Sequence, residues 1–352
     1  EMSFAGEDDV MDTAERLTAA IFRETVSVDL HLPRPRLTYN EAIARYGSDK
    51  PDTRFGLELI DIGDLAGHGD FEVFREVLRT GGQVKGINVK RRASFSRKEI
   101  DDLGAFVKRF GAQGLSWMKV TEEGVQSSIV KFFPEAIRSA LTVRMGAEPD
   151  DLLLFVADTP QIVASALGNL RLELGRKLGL IQEGRWDLLW VTRFPLLEYD
   201  EEEKRYVAAH HPFTSPVEED IERMESDPAG LRARAYDLVL NGWEIAGGSV
   251  RIFQRALQNR MFALLGISEG EAQEKFGFLL DAFEHGAPPH GGIAFGFDRL
   301  IALLAGERFI RDVIAFPKTN NALSLMDGSP SEVTKTQLNE IGLRVVSSAA
   351  AT

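Results

Sequence analysis

Two carboxylates, Asp237 and Glu244, lie on either side of an Asn-Gly pair that separates two strand-like runs. Asn-Gly between alternating apolar residues is the strongest short-range hairpin signal, because both turn positions need a positive φ. A two-residue loop would put Val239 opposite Glu244 and Asp237 opposite Ala246. We therefore expect both carboxylates on one face of a hairpin whose other face is apolar.

Two acids on one face repel each other unless a cation or a shared proton lies between them. Their oxygens suit Mg²⁺, which proteins bind through one or two carboxylates plus substrate phosphates. The alternative is a solvated sheet surface with two incidental acids. Gly247 and Gly248 favour a site, because they remove side chains where a ligand or a backbone comes close. Arg251 beyond them suits a carboxylate, provided that a bulge or bend at the glycines turns it toward Glu244.

A second candidate is the segment 291–300, in which glycines and apolar residues alternate before a helix that begins near Asp298. Glycines permit close approach, and a helix N-terminus favours anions. Arg299 adds a fixed positive charge, so the segment predicts phosphate recognition. It is not a P-loop, because neither Gly-Lys-Ser nor Gly-Lys-Thr ends it. Tight packing of the helix on the strand would explain the glycines equally well.

The adjacent histidines His210 and His211 are the third candidate. Neighbouring strand residues point to opposite faces, so the two rings cannot easily ligate one metal ion. We expect one histidine in a site and the other behind it, and two hydrogen-bonded structural histidines are the alternative. The remaining histidines have no metal-ligand spacing: His31, His68, His285 and His290.

The order of the elements predicts how these residues are held. Strand-like runs at 188–192, 205–210, 235–252 and 291–297 do not alternate regularly with helices. This order predicts an α+β fold, an antiparallel sheet with helices packed on one side. The acidic stretch 216–233 is predicted to be helical.

The composition is that of a soluble globular protein of 352 residues with a net charge of −13 and no cysteine. The acidic total argues against indiscriminate nucleic-acid binding, although it leaves room for a local basic patch. The absence of cysteine excludes disulfides, thiol catalysis and Cys-ligated zinc. No apolar run approaches the roughly 20 residues of a membrane span, and no signal peptide opens the sequence. We expect a cytoplasmic protein.

Together these motifs resemble the class II aminoacyl-tRNA synthetases, and closely the bacterial-type aspartyl-tRNA synthetases. Five co-linear segments carry the likeness: 46–52, 210–216, 241–251, 292–299 and 310–318. The segment 292–299, Gly-Ile-Ala-Phe-Gly-Phe-Asp-Arg, looks like motif 3 of that class. The resemblance implies the class II fold, with an antiparallel β-sheet flanked by helices.

The resemblance also predicts three parts: 1–71 as the first part of the catalytic domain, 72–181 as an α+β GAD-like insertion, and 182–352 as the second part with motif 3. The residue composition changes near residue 72, and the segment 79–98 contains seven basic residues and no acidic one. That segment either faces tRNA or is simply solvated.

The implied reaction has two steps: aspartate and ATP give aspartyl-adenylate, and the aspartyl group then moves to the 3′ end of tRNA. By resemblance, Arg251 would hold the side-chain carboxylate of aspartate and His210 would line its pocket. Asp237 and Glu244 would hold Mg²⁺ on the ATP phosphates, with Glu244 also contacting the nucleotide. Arg299 would bind the terminal phosphates.

Arg299, Glu244 and Asp237 form the implied catalytic set. Gly296 and Phe297 would border the adenine site, in the same ATP-binding segment as Asp298. The implied partner is the tRNA for aspartate, with the tRNA for asparagine as an open addition. The full-length enzymes of this family are expected to be homodimers.

The first residues, Glu1-Met2-Ser3-Phe4, resemble the final strand of motif 2. The family's anticodon domain, motif 1 and motif 2 arginine would precede them, so we expect the 352-residue chain alone to have little or no aminoacylation activity. Two alternatives belong to other classes. One is a tRNA-binding or amidotransferase-linked GAD protein without ligase chemistry, and the other is a synthetase paralog that joins aspartate to a small amine.

Overall fold

The computed structural model describes residues 1–346. The chain divides into two compact units, 1–295 and 296–352, and each is described by itself. Within residues 1–346, no helix has the length and the apolar character that a membrane span requires.

The described residues form eleven α-helices and thirteen β-strands. The helices are α1 Glu7–Val26, α2 Tyr39–Tyr46, α3 Gly63–Ala66, α4 Glu72–Arg79, α5 Arg97–Lys108, α6 Glu135–Arg144, α7 Pro160–Lys177, α8 Arg255–Leu264, α9 Glu269–Glu284, α10 Phe297–Ala305 and α11 Lys335–Glu340. The strands are β1 Met2–Ser3, β2 Arg36–Thr38, β3 Ile60–Asp61, β4 Gln83–Val89, β5 Ser116–Thr121, β6 Gly124–Gln126, β7 Leu152–Asp158, β8 Leu188–Thr192, β9 Leu197–Asp200, β10 Arg205–Ala208, β11 Ala235–Leu240, β12 Trp243–Val250 and β13 His290–Phe295.

The largest sheet has six strands in the order β1-β13-β12-β11-β8-β2. Neighbouring strands are antiparallel except at one edge, where β2 pairs with β8 in parallel. A parallel pair needs a long connection, and the chain between β2 and β8 contains a whole second sheet. The predicted α+β fold with an antiparallel sheet is therefore confirmed, with one parallel edge strand added.

Helices cover both faces of this sheet, so the prediction of helices on one side is wrong. On one face, the indole N–H of Trp190 donates to Glu15 of α1 at 2.8 Å, and the Trp190 ring meets Tyr236 edge-on. On the other face, residues of β8 and β11 share a core with residues of α2 and α8: Leu189, Val191, Val239, Ala42 and Met261. The physical reason is that β8 and β11 are apolar at successive positions and not only at alternate ones.

The second sheet has five strands in the order β3-β4-β7-β5-β6, all antiparallel. Its central strands are buried on both faces. One core contains Ile87, Leu154 and residues of α5 and α7, and the other contains Val84 and Phe155. Strands β4–β7 and helices α4–α7 fall within the predicted insertion, whose boundaries stay a prediction.

Local sequence signals fix several helix ends. Capping boxes are present at the starts of α2 and α5, with Thr38 and Glu41 in one and Ser96 and Glu99 in the other. Each satisfies two main-chain N–H groups that a helix start leaves without partners. Helix α2 ends at Gly47, whose φ of 68° lies in the left-handed region that glycine tolerates.

The acidic stretch 216–233 is not an α-helix, which corrects the prediction made for it. It forms two short 3₁₀ turns, Glu218–Arg223 and Pro228–Gly230. The buried carboxylate of Asp220 accepts hydrogen bonds from the main chain and guanidinium of Arg232 and from the guanidinium of Arg223. This side-chain network holds the segment in an irregular path.

The second unit is described over residues 296–346 and begins with α10. Leu300 and Ala302 are the buried residues of this helix, which ends at Gly306 with a φ of 73°. The 3₁₀ turn Ile310–Asp312 packs against α10, and α11 begins with a capping box of Thr334 and Gln337.

Candidate active site

The predicted hairpin is present between β11 and β12. Its turn residues Asn241 and Gly242 have φ values of 53° and 86°, as an Asn-Gly turn requires. Val239 lies opposite Glu244, as predicted, but the register then shifts and Asp237 lies opposite Gly247, not opposite Ala246. The pairing predicted for Asp237 is therefore wrong by one residue.

The register shift is a β-bulge at Ile245, where β12 has one more residue than β11. Because side chains alternate along a strand, the extra residue reverses the faces of everything that follows it. Gly247, Ser249 and, by continued alternation, Arg251 thus share the face of Glu244. The bulge predicted at the double glycine exists, but it lies just before the glycines.

Gly247 shows that the two carboxylates converge. A methyl group at Gly247 would lie 2.7 Å from Oδ1 of Asp237 and 3.3 Å from Oε1 of Glu244. These two oxygens are therefore within about 6.0 Å of each other, the sum of the two distances. Both residues are half-buried. The predicted shared face is confirmed, and the missing side chain at Gly247 leaves the space that the carboxylates face.

Gly248 has a different reason to be glycine. A methyl group there would collide with the carbonyl oxygen of Gly292 and would lie 2.9 Å from the Cα of Ile293, both on β13. Gly248 therefore lets two backbones approach, whereas Gly247 clears space for side chains. The sequence predicted both kinds of close approach without saying which glycine served which.

A third carboxylate, that of Glu1, lies on the same sheet face. A methyl group at Gly292 would lie 2.6 Å from the Glu1 carboxyl carbon. Gly292 pairs with Ser249, whose side chain shares the face of Gly247. The open face of β12 and β13 thus combines glycines with acidic side chains.

His210 lies in the electrostatic field of this acidic face. Desolvation lowers the pKa of its imidazole, and the carboxylates of Glu198, Glu244 and Asp49 pull the pKa upward without restoring it. Its ring meets Phe194 edge-on, with centroids 5.0 Å apart. His210 is thus favoured as a neutral imidazole beside several carboxylates.

His211 lies near Arg251. Desolvation lowers the pKa of His211, and the charge of Arg251 lowers it further. The main chain of Arg251 bridges to Thr214, and its N–H donates to the carbonyl of His290 at 2.9 Å. The side-chain oxygen of Thr214 is buried and has no hydrogen-bond partner. The two histidines thus have different surroundings, and the expectation that one lies in a site and the other behind it stays a prediction.

The loop 48–54 is irregular, in keeping with Pro51, which cannot continue a helix. Its residue Asp49 acts on His210 and also raises the pKa of Tyr39, for which burial is the larger cause. Lys50 is exposed, and its main-chain N–H donates to Ser48 at 3.1 Å. Sequence reasoning singled out this loop without giving it a role.

Four predicted site residues belong to the second unit: Gly296, Phe297, Asp298 and Arg299. Gly296 precedes α10 directly, and the other three form its first turn. Phe297 and Arg299 are exposed. These residues present polar and aromatic groups at a helix N-terminus, as predicted for the segment.

Sequence reasoning missed three acids of the site. Glu1, Glu198 and Asp49 reach the region of His210 and the hairpin through the fold, and none stands at a recognisable spacing from them. Asp49 lies in the resembling segment 46–52 and Glu1 in the resembling first residues, whereas no sequence signal marked Glu198. Among residues 1–346, no group of three or more His, Cys, Asp or Glu is arranged to hold a metal ion by itself.

Comparison with known proteins identifies the family. A family model described as tRNA synthetases class II (D, K and N) matches residues 1–320. An aspartate–tRNA(Asp/Asn) ligase of Symbiobacterium thermophilum is 56% identical over 351 residues, covering 98% of this chain and 59% of that protein. An aspartate–tRNA ligase of Geobacillus kaustophilus is 55% identical over 347 residues, with the same two coverages.

This chain thus spans 59% of the length of these curated relatives. The family match covers both the six-stranded sheet with its acidic hairpin and the segment around Arg299. The chain belongs to the class II tRNA synthetases of the D, K and N group.

Proposed function

We propose that this chain carries the aspartate-activating region of an aspartate–tRNA ligase. Relatives that are 54% to 56% identical over almost the whole chain bear that name. The proposed reaction uses aspartate and ATP to form aspartyl-adenylate and then transfers the aspartyl group to tRNA. The observation that carries the proposal is the convergence of Asp237 and Glu244 over Gly247.

The acidic pair fits a nucleotide-bound Mg²⁺. Two carboxylates with oxygens this close give the one or two protein ligands that Mg²⁺ takes when substrate phosphates supply others. Asp237 and Glu244 would hold the ion, which would neutralise phosphate charge, and Glu244 would also contact the nucleotide.

The aspartate pocket is proposed to lie along Arg251 and His210. A guanidinium recognises a carboxylate through paired hydrogen bonds, so Arg251 suits the side-chain carboxylate of aspartate. The bulge at Ile245 supports this role, because it turns Arg251 to the face of Glu244. His210 stays neutral near pH 7 because its pKa is lowered, so it can line the pocket without repelling the amino group of aspartate.

Arg299 is proposed to bind the terminal phosphates of ATP. It is exposed in the first turn of α10, where the positive end of the helix dipole favours a bound anion. Main-chain N–H groups at the same helix end add hydrogen-bond donors for phosphate. Gly296, Phe297 and Asp298 complete the proposed ATP-binding segment, with Gly296 and Phe297 beside the adenine.

In the proposed first step, an α-carboxylate oxygen of aspartate attacks the α-phosphorus of ATP. The bond from that phosphorus to the β-phosphate oxygen breaks, and pyrophosphate leaves. The chain's residues act by positioning and by neutralising charge, with no covalent enzyme intermediate. Arg251 would direct the reaction to the α-carboxylate by occupying the side-chain carboxylate.

Several further features belong to this proposal. The partner would be the tRNA for aspartate, and the relatives' names include both the aspartate-specific and the Asp/Asn form. The full-length protein would be a cytoplasmic homodimer. Residues 72–181 would form the GAD-like insertion between the two parts of the catalytic domain, 1–71 and 182–352.

Calorimetric titration of the 352-residue chain with ATP, with and without Mg²⁺, tests the proposal. We expect Mg²⁺-dependent binding that Glu244→Gln and Asp237→Asn each weaken by about tenfold or more, since each removes one ion ligand. Asp101→Asn is the matched control, because it removes an exposed acid on α5. Mg²⁺-independent binding, or equal binding by all four proteins, would contradict the proposed role of the pair.

A further inference from the structure

Arg171 is a buried arginine on α7, in the region of the second sheet. Only 1% of its surface is exposed. Its guanidinium donates to three main-chain carbonyls, those of Asp52 at 2.8 Å, Phe55 at 2.7 Å and Gly56 at 3.0 Å. It also stacks on Phe55, with its central carbon 4.0 Å from the ring centre, and on Tyr46 at 4.9 Å.

Burying the Arg171 guanidinium costs desolvation free energy, which its hydrogen bonds must offset. Removing a guanidinium from water disfavours its charge, and burial lowers the pKa of Arg171 to about 10. The group still carries its charge at neutral pH. Its hydrogen bonds go to the backbone of one segment, so it fixes the path of residues 52–56 whatever their side chains do.

A second contact with α7 lies at the other end of the same loop. The main chain of Gly168 on α7 approaches Gly47 so closely that a methyl group at Gly168 would lie 2.7 Å from the Gly47 oxygen. Gly47 ends α2, and the loop of residues 48–56 follows it directly. One helix, α7, thus holds this loop at both ends.

The held loop lies beside the candidate active site and contacts its hairpin turn directly. Asp49 acts electrostatically on His210. At the hairpin turn, a methyl group at Gly242 would lie 3.2 Å from the Cβ of Asp52. Asp187 links the loop to the same turn, because it accepts from Thr53 at 3.3 Å while its main-chain N–H donates to Asn241 at 2.9 Å.

The second half of the loop borders a cleft. Residues 53–58 line a cleft of about 700 Å³ that they share with residues of β4 and of the segment after α7. A segment beside an open cleft keeps its position through its tethers. The tethers from α7 therefore hold the part of the loop that borders the cleft, next to Asp52, which is buried and paired with Arg54 at 2.7 Å.

We propose that Arg171 is a positioning residue for the aspartate end of the site, acting from α7 through the loop 48–56. The inference rests on the proposed function, because it concerns the pocket of His210. It predicts that loosening this tether weakens recognition of the aspartyl group. Binding of ATP should be spared, since strand pairing holds both acids: Asp237 pairs with Val191 of β8, and Glu244 pairs with Val239 of β11.

The test compares two ligands and four variants of the 352-residue chain. The ligands are ATP with Mg²⁺ and a non-hydrolysable sulfamoyl analogue of aspartyl-adenylate. Arg171→Met should weaken binding of the analogue by about 10- to 100-fold, the range for a misplaced group. It should leave ATP binding unchanged. Arg171→Lys keeps the positive charge but not the planar set of guanidinium N–H donors, so it should recover part of the lost affinity.

Gly168→Ala reaches the same loop without touching Arg171, so it should give the same split between the two ligands. Arg176→Met is the matched control on the exposed side of α7 and should bind both ligands like the wild type. Hydrogen exchange should quicken in residues 47–58 of Arg171→Met and Gly168→Ala and stay unchanged in β11 and β12. If Arg171→Met does not fold, Arg171→Lys and Gly168→Ala decide the matter.

A merely stabilising role predicts something else, namely a lower melting temperature with both ligands weakened equally or neither weakened. Either pattern, or unchanged exchange in residues 47–58, would overturn the inference. Failure of the proposed function is distinguishable, because the wild type itself would then not bind the analogue. The exchange measurement would still report whether Arg171 holds the loop.

Discussion

The two faces of β12 differ in what they require at neighbouring residues. On one face, Gly248 admits the backbone of β13, and the surrounding residues Tyr236 and Leu238 are fully buried. On the other face, Gly247 leaves space in front of two half-buried carboxylates. Adjacent glycines of one strand thus serve packing and chemistry separately, and a bulge at Ile245 decides which residues join each face.

The five-stranded sheet gives the contrasting case. Its central strands β4 and β7 are buried on both faces by apolar cores. Both sheets obey the same alternation of side chains. In the six-stranded sheet, Asp237 is the half-buried residue of an otherwise buried β11, and Glu244 and Gly247 of β12 are half-buried beside it. That local loss of packing is the physical mark of the candidate site.

The largest expected effect comes from breaking the packed face. Gly248→Ala puts a methyl group against the Gly292 carbonyl and the Cα of Ile293, both of which are backbone atoms that cannot turn away. We expect the free energy of unfolding to fall by about 3 kcal/mol, the upper part of the usual range for overpacking. Urea unfolding measures this fall. A change of stability below about 1 kcal/mol would show that the strands are not packed as described.

An effect of intermediate size on stability is expected at Asp220, a buried acid outside the candidate site. Burial raises the pKa of Asp220, but hydrogen bonds from Arg232 and Arg223 outweigh burial and hold the pKa at about 2. An unfolded aspartate has a pKa near 3.9, so this carboxylate stabilises the fold by about 2 kcal/mol above pH 4. That contribution is lost as the pH falls from about 4 through 2.

Asp220→Asn isolates this contribution, because other acids titrate in the same range. Urea unfolding at several pH values should show the variant less stable than the wild type at pH 7. The gap should narrow as the pH falls below about 4. A gap that stays constant with pH would mean that Asp220 is not held ionised by its arginines, and that its place in the fold has another cause.

Local chemistry made part of this structure predictable. The turn Asn241–Gly242, the strand Leu188–Thr192 and the capping boxes at Thr38 and Ser96 depend on a few neighbouring residues, so the sequence revealed them. The shared face of Asp237 and Glu244 followed from the same turn.

The rest depended on contacts between distant segments. The bulge at Ile245 reflects how β11, β12 and β13 pair, and the double glycine of β12 indicated a bulge without fixing its position. The tether from Arg171 to residues 52–56 joins segments more than 100 residues apart, as does the hydrogen bond between Trp190 and Glu15. The stretch near Asp220 forms 3₁₀ turns and not the predicted α-helix, because hydrogen bonds from arginine side chains to Asp220 hold it in that path.

The smallest effect on stability is expected for a change on the face of Asp237 and Glu244. The same change tests the proposed nucleotide site directly. Gly247→Ala keeps both carboxylates, but its methyl group takes the place that Asp237 Oδ1 and Glu244 Oε1 face. These are flexible side-chain ends, so we expect a stability loss below about 1 kcal/mol. Gly114→Ala is the control, because a methyl group there meets nothing within 4 Å.

The deciding measurement is the affinity of Gly247→Ala for ATP in the presence of Mg²⁺, by calorimetry, beside the wild type and Gly114→Ala. If the acidic pair holds the nucleotide's ion, Gly247→Ala binds about tenfold more weakly while remaining folded. Gly114→Ala then binds like the wild type. A folded Gly247→Ala protein with wild-type affinity would contradict the central claim that the converging carboxylates form the nucleotide site.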